Sequence, residues 1–344
     1  MKSKGKVFVG MSGGVDSSVA ALLLKKKGYD VTGVFIRSYN LDGCAERDAE
    51  DARRTAEHLD IPFYVFDFEK EYKESVVDYM VLTYQNGLTP NPDVMCNKEI
   101  KFGLFLKKSL EMGADYVATG HYVIKKDNRL FAAKDKNKDQ SYFLWTLTAD
   151  QIAHSLFPIG GFLKSKVRRI AKRAGLPTAD KKDSQGICFL GDVDLADFLK
   201  KYIPEKPGDI VNLEGEIVGR HEGIFFYTIG QRHLGTNLKI KGADKKPYYV
   251  VSKDVKTNTL VIAEGDDNPV LTKKELDLEN INLIGGKIKG NRVRARVRYR
   301  QPLSEASLII HRLVFKEPQK FVAPGQSAVF YSKKGELLGG GVIV

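Results

Sequence analysis

Cysteine is scarce in this chain: Cys44, Cys96 and Cys188 are the only three in 344 residues. Thiols so few and so scattered exclude a disulfide framework and a CxxC zinc knuckle, and they fit a reducing, cytoplasmic setting. Long apolar runs are missing as well. The longest, Val19 to Leu24, falls far short of the roughly 20 residues a membrane-spanning helix needs. The stretch Met1-Lys2-Ser3-Lys4-Gly5-Lys6 has no signal-peptide apolar region. No membrane partner is expected. Low-complexity segments and convincing internal repeats are also missing.

What is present is the make-up of a globular enzyme, 42% apolar and 28% charged, long enough for two or three domains. Acidic residues run short in one region. Residues 281–344 hold twelve Lys/Arg against three Asp/Glu, a surplus of nine within a net charge of +12. A nearly neutral body with a basic end suits a polyanionic partner, most simply nucleic acid. A solvated basic face is the plainer alternative.

The most informative local feature is Ser12-Gly13-Gly14-Val15-Asp16-Ser17-Ser18, between the apolar strand Val7-Phe8-Val9 and the apolar helix Val19 to Leu24. Two glycines let the backbone turn tightly, and the free N–H groups of the next helix offer a phosphate cradle. No lysine follows the glycines, so this is not a Walker A loop. Strand, Ser-Gly-Gly-Val-Asp-Ser and helix in succession resemble the PP-loop of ATP pyrophosphatases, which split ATP between its α and β phosphates and adenylate a substrate.

The first two hundred residues alternate strand and helix. Strands are expected at Val7–Gly10, Val31–Ile36, Phe63–Phe66 and Tyr116–Thr119. Helices are expected at Asp16–Lys26, Ala45–Leu59, Tyr72–Gln85 and Lys98–Met112. Ala49, Ala52, Ala56 and Leu59 share one helix face. A Pro-rich loop spans Thr89 to Asp93, Asp127-Asn128 reads as a hairpin turn, and a basic helix lies near Lys164–Ala174, ahead of a polar loop from Thr178 to Gln185. That order predicts an α/β fold, a doubly wound parallel sheet with ligand at the carboxyl ends of its strands. Past Pro204, turn residues and period-2 alternation predict two small mostly-β domains, the last a β-barrel, split near Thr272–Asn280. The expected domains are 1–200 (ATP-binding and catalytic), 201–275 (central, β-rich) and 276–344 (basic, for a nucleic-acid partner). Within the last, Arg292, Arg294, Arg296, Arg298 and Arg300 alternate with Val293, Ala295, Val297 and Tyr299. One strand face would carry an arginine row ~26 Å long, able to track RNA phosphates.

Two segments could carry chemistry. In Asn91-Pro92-Asp93-Val94-Met95-Cys96-Asn97-Lys98, a helix starting nearby would turn Asp93 and Cys96 the same way. The helix start and Lys98 would then lower the thiol pKa. Asp93 as a plain N-cap and Cys96 as an inert buried thiol fit equally well. Cys188 ends the polar run Asp183-Ser184-Gln185-Gly186-Ile187-Cys188, and there too a buried strand cysteine is as good a reading. Cys44, beside Gly43, has no acid–base neighbour and reads as structural.

The chain resembles the tRNA-specific 2-thiouridylases nearly end to end. The resemblance rests on Gly10-Met-Ser-Gly-Gly-Val-Asp-Ser17, Asn91-Pro-Asp-Val-Met-Cys-Asn-Lys-Glu-Ile-Lys101 and Ala118-Thr-Gly-His-Tyr122. Further on it rests on Lys138-Asp-Gln-Ser-Tyr-Phe143, Ser184-Gln-Gly-Ile-Cys188, Tyr227-Thr-Ile-Gly-Gln-Arg232 and Val297-Arg-Tyr-Arg-Gln-Pro302. It implies ATP-dependent replacement of the wobble-uridine C2 oxygen by sulfur, with Mg²⁺ and a sulfur-relay or cysteine desulfurase protein as donor. The implied ATP site is Gly10, Met11, Ser12, Gly13, Gly14, Val15, Asp16 and Ser17, with Ile36 and Gly120 beside the adenine. The family often has Met where Ile36 stands. Asn91, Pro92 and Asp93 would receive the flipped base, Asp93 as acid/base or orienting group. Cys188 would carry a persulfide and Cys96 would be its partner. His121, Lys138, Asp139, Gln140, Arg298, Tyr299 and Gln326 would contact tRNA. The rivals are another adenylating PP-loop ligase or synthetase, a silent tRNA-binding protein, and an iron–sulfur cluster on Cys96, Cys188 and Asp93.

Overall fold

Val7, Phe8 and Val9 are buried on both faces of β1 (Lys6–Gly10), as strands of a parallel sheet covered by helices must be. The computed structural model describes residues 3–39, 43–183, 193–234, 246–288 and 290–344; the Cys44 side chain and all of Cys188 lie outside that description. From β1 the chain runs through α1 (Val15–Lys26), β2 (Asp30–Arg37), α2 (Cys44–His58) and β3 (Phe63–Asp67), then back to β4 (Tyr116–Ala118). A hairpin follows, β5 (Val123–Lys126) and β6 (Arg129–Ala132), and β7 (Ser155–Leu156) completes the sheet. The order is β3-β2-β1-β4-β7, every pair parallel. The strand sequence reverses between β1 and β4, so the ligand crevice opens there.

Local chemistry explains the elements. The α1 residues Val19, Ala20, Ala21, Leu22 and Leu24 are buried among the sheet and the helix Lys164–Arg173. Each large apolar side chain so buried contributes about 1.5–3 kcal/mol. Ala52, Ala56 and Leu59 are buried, the apolar face expected for α2. Asp127 and Asn128 take φ +48° and +57°, the left-handed pair that a two-residue hairpin turn demands.

The helix expected from Lys98 instead starts at Pro92. Proline fits the first helical position because its missing N–H is not needed there. It continues as a π-helix over Cys96–Leu104 before regaining α geometry at Phe105–Glu111. A second π-helix, Lys73–Val77, packs against it. π-turns gather at functional sites.

The central domain is a four-stranded sheet of β8 (Gly208–Val211), β9 (Ile217–His221), β10 (Tyr248–Asp254) and β11 (Thr259–Glu264), ordered β10-β11-β8-β9. The last domain is a closed six-stranded barrel. Its strands are β12 (Thr272–Leu283), β13 (Arg292–Arg296), β14 (Ser304–Ile309), β15 (Arg312–Lys320), β16 (Ser327–Tyr331) and β17 (Leu337–Ile343). Thr272–Asn280 therefore lies inside the first barrel strand, its charged residues alternating with buried Leu276 and Leu278.

The arginine row is not a continuous exposed track. β13 ends at Arg296, and Arg300 has left the strand at φ +64°. Arg296 is only 5% exposed. It donates to Asp139 Oδ2 at 2.8 Å and to the Tyr331 hydroxyl at 2.6 Å. Arg294 donates to the Leu303 carbonyl at 3.0 Å. Alternation named the apolar face correctly; the other face is buried at Arg296, half-buried at Arg294 and Arg298, and exposed at Arg292 and Arg300.

Barrel and catalytic domain share further bonds. Trp145 Nε1 donates to Ser327 Oγ at 3.0 Å, and Tyr142 donates to the Ser327 carbonyl at 2.8 Å. Phe131 forms an antiparallel bridge with Glu336, and Ala132 N donates to the Gly335 carbonyl at 2.9 Å. Among the described residues, no helix is long and apolar enough to cross a membrane.

Candidate active site

The phosphate loop leaves β1 at Gly10 and enters α1 at Val15. Gly13 takes φ +69°, and a Cβ there would stand 2.3 Å from the Asp48 carbonyl oxygen, so no larger residue fits. Ser17 Oγ accepts from Ser12 N at 3.1 Å and donates to the Gly14 carbonyl at 3.1 Å. Ser18 Oγ donates to the same carbonyl at 2.8 Å. Gly14 gives α1 no side-chain cap, which leaves the first N–H groups of the helix available to an anion.

Met11 is buried and donates its N–H to Val34 O at 2.7 Å, which ties the loop to β2. A Cβ on Gly120 would fall 2.7 Å from Ser17 N, so the segment after β4 lies directly on the loop. Half-buried Ile36, near the end of β2, packs on the opposite side of the sheet from α1. The cradle occupies the crevice the topology creates.

Asp16 is the hub of this cradle. Its Oδ1 accepts from the Tyr122 hydroxyl at 2.8 Å and its Oδ2 from Lys164 Nζ at 2.7 Å. Burial, reinforced by Asp16, raises the Tyr122 phenol far above its ordinary value, so it keeps its proton and donates. Lys164 also meets Asp183 at 2.8 Å, and Asp183 takes further bonds from Lys138 at 2.7 Å and Arg168 at 2.6 Å. Burial alone would raise the Asp183 carboxyl; the bonds from Lys138 and Lys164 hold it down at about 2. A cation thus stands at the lysine-free loop after all, delivered by the helix Lys164–Arg173.

The second half of the site is built on Asn91. Its side chain caps the next helix, accepting from Val94 N at 3.4 Å, with Pro92 in the first turn. The cap is therefore Asn91 and not Asp93, which stands half-buried in the first turn. One turn on, Cys96 is 4% exposed. Burial pushes its thiol up, the Lys101 charge opposes that rise and the Asp93 charge adds to it; Tyr72 and Lys101 bond to the sulfur. The expected lowering of the thiol pKa is overturned because burial outweighs the neighbouring cation. Lys98, the cation expected there, pairs instead with Glu99 at 2.7 Å.

His121 is buried between Phe102 and Phe157, with Nδ1 2.8 Å from Thr119 Oγ1. Burial, followed by the Lys101 charge, keeps its imidazole well below the usual range and hence neutral. Phe102, which stands 5.9 Å from the His121 ring, lies on the same helix as Cys96. The thiol and the Gly120 side of the nucleotide cradle share one neighbourhood.

The residues expected at RNA divide into two sets. Lys138 and Tyr299 are half-buried near the surface, Lys138 paired with Asp183 and Tyr299 against Phe143 at 4.5 Å. Half-buried Gln140 accepts from Tyr122 N at 2.9 Å. Asp139, Arg298 and Gln326 instead direct their side chains at protein. Asp139 Oδ1 accepts from Ala133 N and Ser141 N at 3.0 and 3.2 Å, while Oδ2 takes Arg296. Arg298 donates to the Phe321 and Ile229 carbonyls at 2.9 and 2.5 Å. Gln326 donates to the Thr89 and Pro90 carbonyls at 3.2 and 2.6 Å. All three bond across domain boundaries, Asp139 to Arg296, Arg298 to Ile229 and Gln326 to Thr89 and Pro90. Sequence reading missed Lys164, Lys101 and Tyr72. The acid-free run Lys164–Arg173 was the one available signal.

Three family models match in succession: a tRNA methyl transferase HUP domain over residues 5–192, a tRNA methyl transferase PRC-barrel domain over 196–264, and an aminomethyltransferase beta-barrel domain over 273–343. Those descriptions speak of methyl transfer, whereas the full-length relatives carry a different activity in their names. The tRNA-specific 2-thiouridylase MnmA of Bacillus licheniformis is 48% identical over 98% of this chain and 94% of that protein. The protein of the same name from Haemophilus ducreyi is 46% identical over 98% and 92%. Among solved structures, a 4-thiouridine synthetase in complex with RNA and bound ATP aligns at 18% identity and a TM-score of 0.36, covering 58% of this chain and 50% of that one.

Proposed function

The chain belongs to the tRNA-specific 2-thiouridylase family, whose members thiolate tRNA, and within that activity we propose a two-step reaction on the wobble uridine. The uracil C2 oxygen attacks the α-phosphorus of ATP held by Ser12 to Ser17, expelling pyrophosphate and leaving C2 bonded to AMP. Asn91, Pro92 and Asp93 receive the base, which must leave its stack to be reached. The terminal sulfur of a Cys188 persulfide then adds to C2, and AMP departs with the former C2 oxygen. The Cys96 thiolate attacks the inner sulfur, so a Cys96–Cys188 disulfide forms and C2=S remains. The sulfane sulfur is reduced and two thiols are oxidised; an external dithiol resets the pair.

One observation carries this reading: the helix that bears Cys96 sets its Phe102 against His121 at 5.9 Å, next to Gly120, the glycine that packs on the phosphate loop. A thiol placed beside a nucleotide cradle suits adenylation followed by sulfur transfer better than ligation to nitrogen. The buried, protonated Cys96 must lose a proton to react; Asp93 is the nearby carboxylate to accept it, and Lys101 steadies the resulting thiolate. The described residues hold no group of three His, Cys, Asp or Glu placed to share a metal. Mg²⁺ arriving on ATP needs only one or two carboxylates besides phosphate. Asp16 would hold the ion by giving up its contact with Lys164, and the ion would offset phosphate charge. A protein persulfide donor and a cytoplasmic setting complete the proposal.

The test is mass spectrometry of Cys188→Ser and Cys96→Ser after exposure to a protein persulfide donor, with tRNA thiolation followed in parallel. Cys188→Ser should still release AMP but carry no persulfide; Cys96→Ser should load sulfur and stall. Full thiolation by either variant sinks the two-thiol mechanism.

A further inference from the structure

The loop that leads into the base-binding helix is held by all three domains at once. From the barrel, Gln326 Nε2 donates to the Thr89 and Pro90 carbonyls, at 3.2 and 2.6 Å, and the Pro324 carbonyl accepts from Thr89 N at 2.9 Å. From the central domain, the Thr228 hydroxyl stands 3.4 Å from Thr89 Oγ1. Arg298 locks these two domains together behind the loop through the Phe321 and Ile229 carbonyls. Thr89 is 7% exposed and Asn91 8%, so the bonds lie largely out of reach of water. The residue after Pro90 is Asn91, the cap of the helix that bears Asp93 and Cys96. Proline offers no N–H of its own, and its carbonyl is fixed from outside by Gln326.

We propose that Gln326 is a positioning residue for the reaction: the barrel, with this carboxamide as its side-chain hold on the loop, sets the place of Asn91, Asp93 and Cys96 relative to the nucleotide cradle. The proposal rests on the thiolation reading above for its kinetic test. The amide nitrogen of Gln326 is committed to two main-chain carbonyls of another domain.

The decisive variants are Gln326→Ala and the isosteric Gln326→Glu, which keeps the shape but offers two acceptors to two carbonyls. A shift of the helix start by about 1 Å lowers the rate at saturating tRNA roughly 10- to 100-fold while tRNA affinity stays within about twofold. In a Cys44→Ser/Cys188→Ser background, Cys96 alkylation by iodoacetamide should speed up in both variants, because the helix is no longer held. Weakened affinity with a full rate at saturation makes Gln326 an RNA contact and overturns the proposal. Unchanged rate and affinity overturn it too. If the wild-type protein thiolates no tRNA, the functional reading fails on its own, and the alkylation comparison decides the clamp: equal rates reject it. Gln326→Glu carries the test if Gln326→Ala does not fold.

Discussion

Arg296 and Asp139, 157 positions apart in the chain, meet at 2.8 Å with both side chains about 95% buried, and so pin the barrel to the catalytic domain. A buried pair of this kind is costly to break from one side, because the remaining charge has neither water nor a counter-charge.

Arg296→Met should therefore destabilise the protein by about 3–5 kcal/mol, and adding Asp139→Asn should recover part of the loss. Denaturant unfolding of the three forms measures this. A single variant as stable as wild type returns the arginine to the surface.

Exposed Arg292 and Arg300 are the arginines of that run left for phosphate. Replacing both with Gln should leave stability unchanged. The slope of log affinity for tRNA against log salt should fall by about one for each phosphate that is no longer neutralised. An unaltered slope assigns the basic character of this domain to solvation.

Lys164→Met removes the cation at Asp16 and, like Asp16→Ala, should cut ATP-to-AMP turnover about 100-fold or more. Binding of tRNA should change little. Wild-type AMP formation in either variant contradicts the cradle described for Ser12 to Ser17.

Two pH effects follow from the site. Cys96 has its thiol raised by burial, so in the Cys44→Ser/Cys188→Ser background its alkylation should reach half-maximal rate above the ordinary value of about 8.5. Lys101→Met, which removes the opposing charge, should move that midpoint higher still. A midpoint below that of free cysteine makes the thiol an activated one at rest.

Asp183 is shifted the other way, to about 2 from 3.8. A depressed carboxyl stabilises the fold fully above its unfolded value and loses that contribution as pH falls through the folded one. The difference in melting temperature between wild type and Asp183→Asn should hold from neutral pH down to about 4 and narrow below it. A gap that closes near neutrality attributes the effect to another group.

The local parts of the fold were legible. Gly13-Gly14 between an apolar strand and an apolar helix marks the cradle, because a backbone turn and a helix start are short-range matters. Ala52, Ala56 and Leu59 declared their face by spacing alone. Arg292 to Arg300 show the limit: alternation reports which face is apolar, and other domains take bonds from Arg296 and Arg298 without leaving a trace in that pattern. Lys164 and Lys101 were hidden for a related reason. A lysine bound to a carboxylate across the fold, or to a thiol five residues back through a π-helical turn, reads in sequence like any other lysine. Cys96 misled through burial, since its cationic and helical neighbours were visible and the surrounding Tyr72, Ile100 and Phe105 were not.

The bridge between Phe131 and Glu336 bears on how this chain tolerates shortening. Without the barrel, the β6 edge would lose its main-chain partner at Ala132, and Trp145 would lose Ser327. A raw strand edge beside uncovered aromatic surface recruits other chains. Product truncated before Thr272 should be recovered as aggregate, so a premature stop late in the reading frame abolishes the soluble catalytic domain along with the barrel.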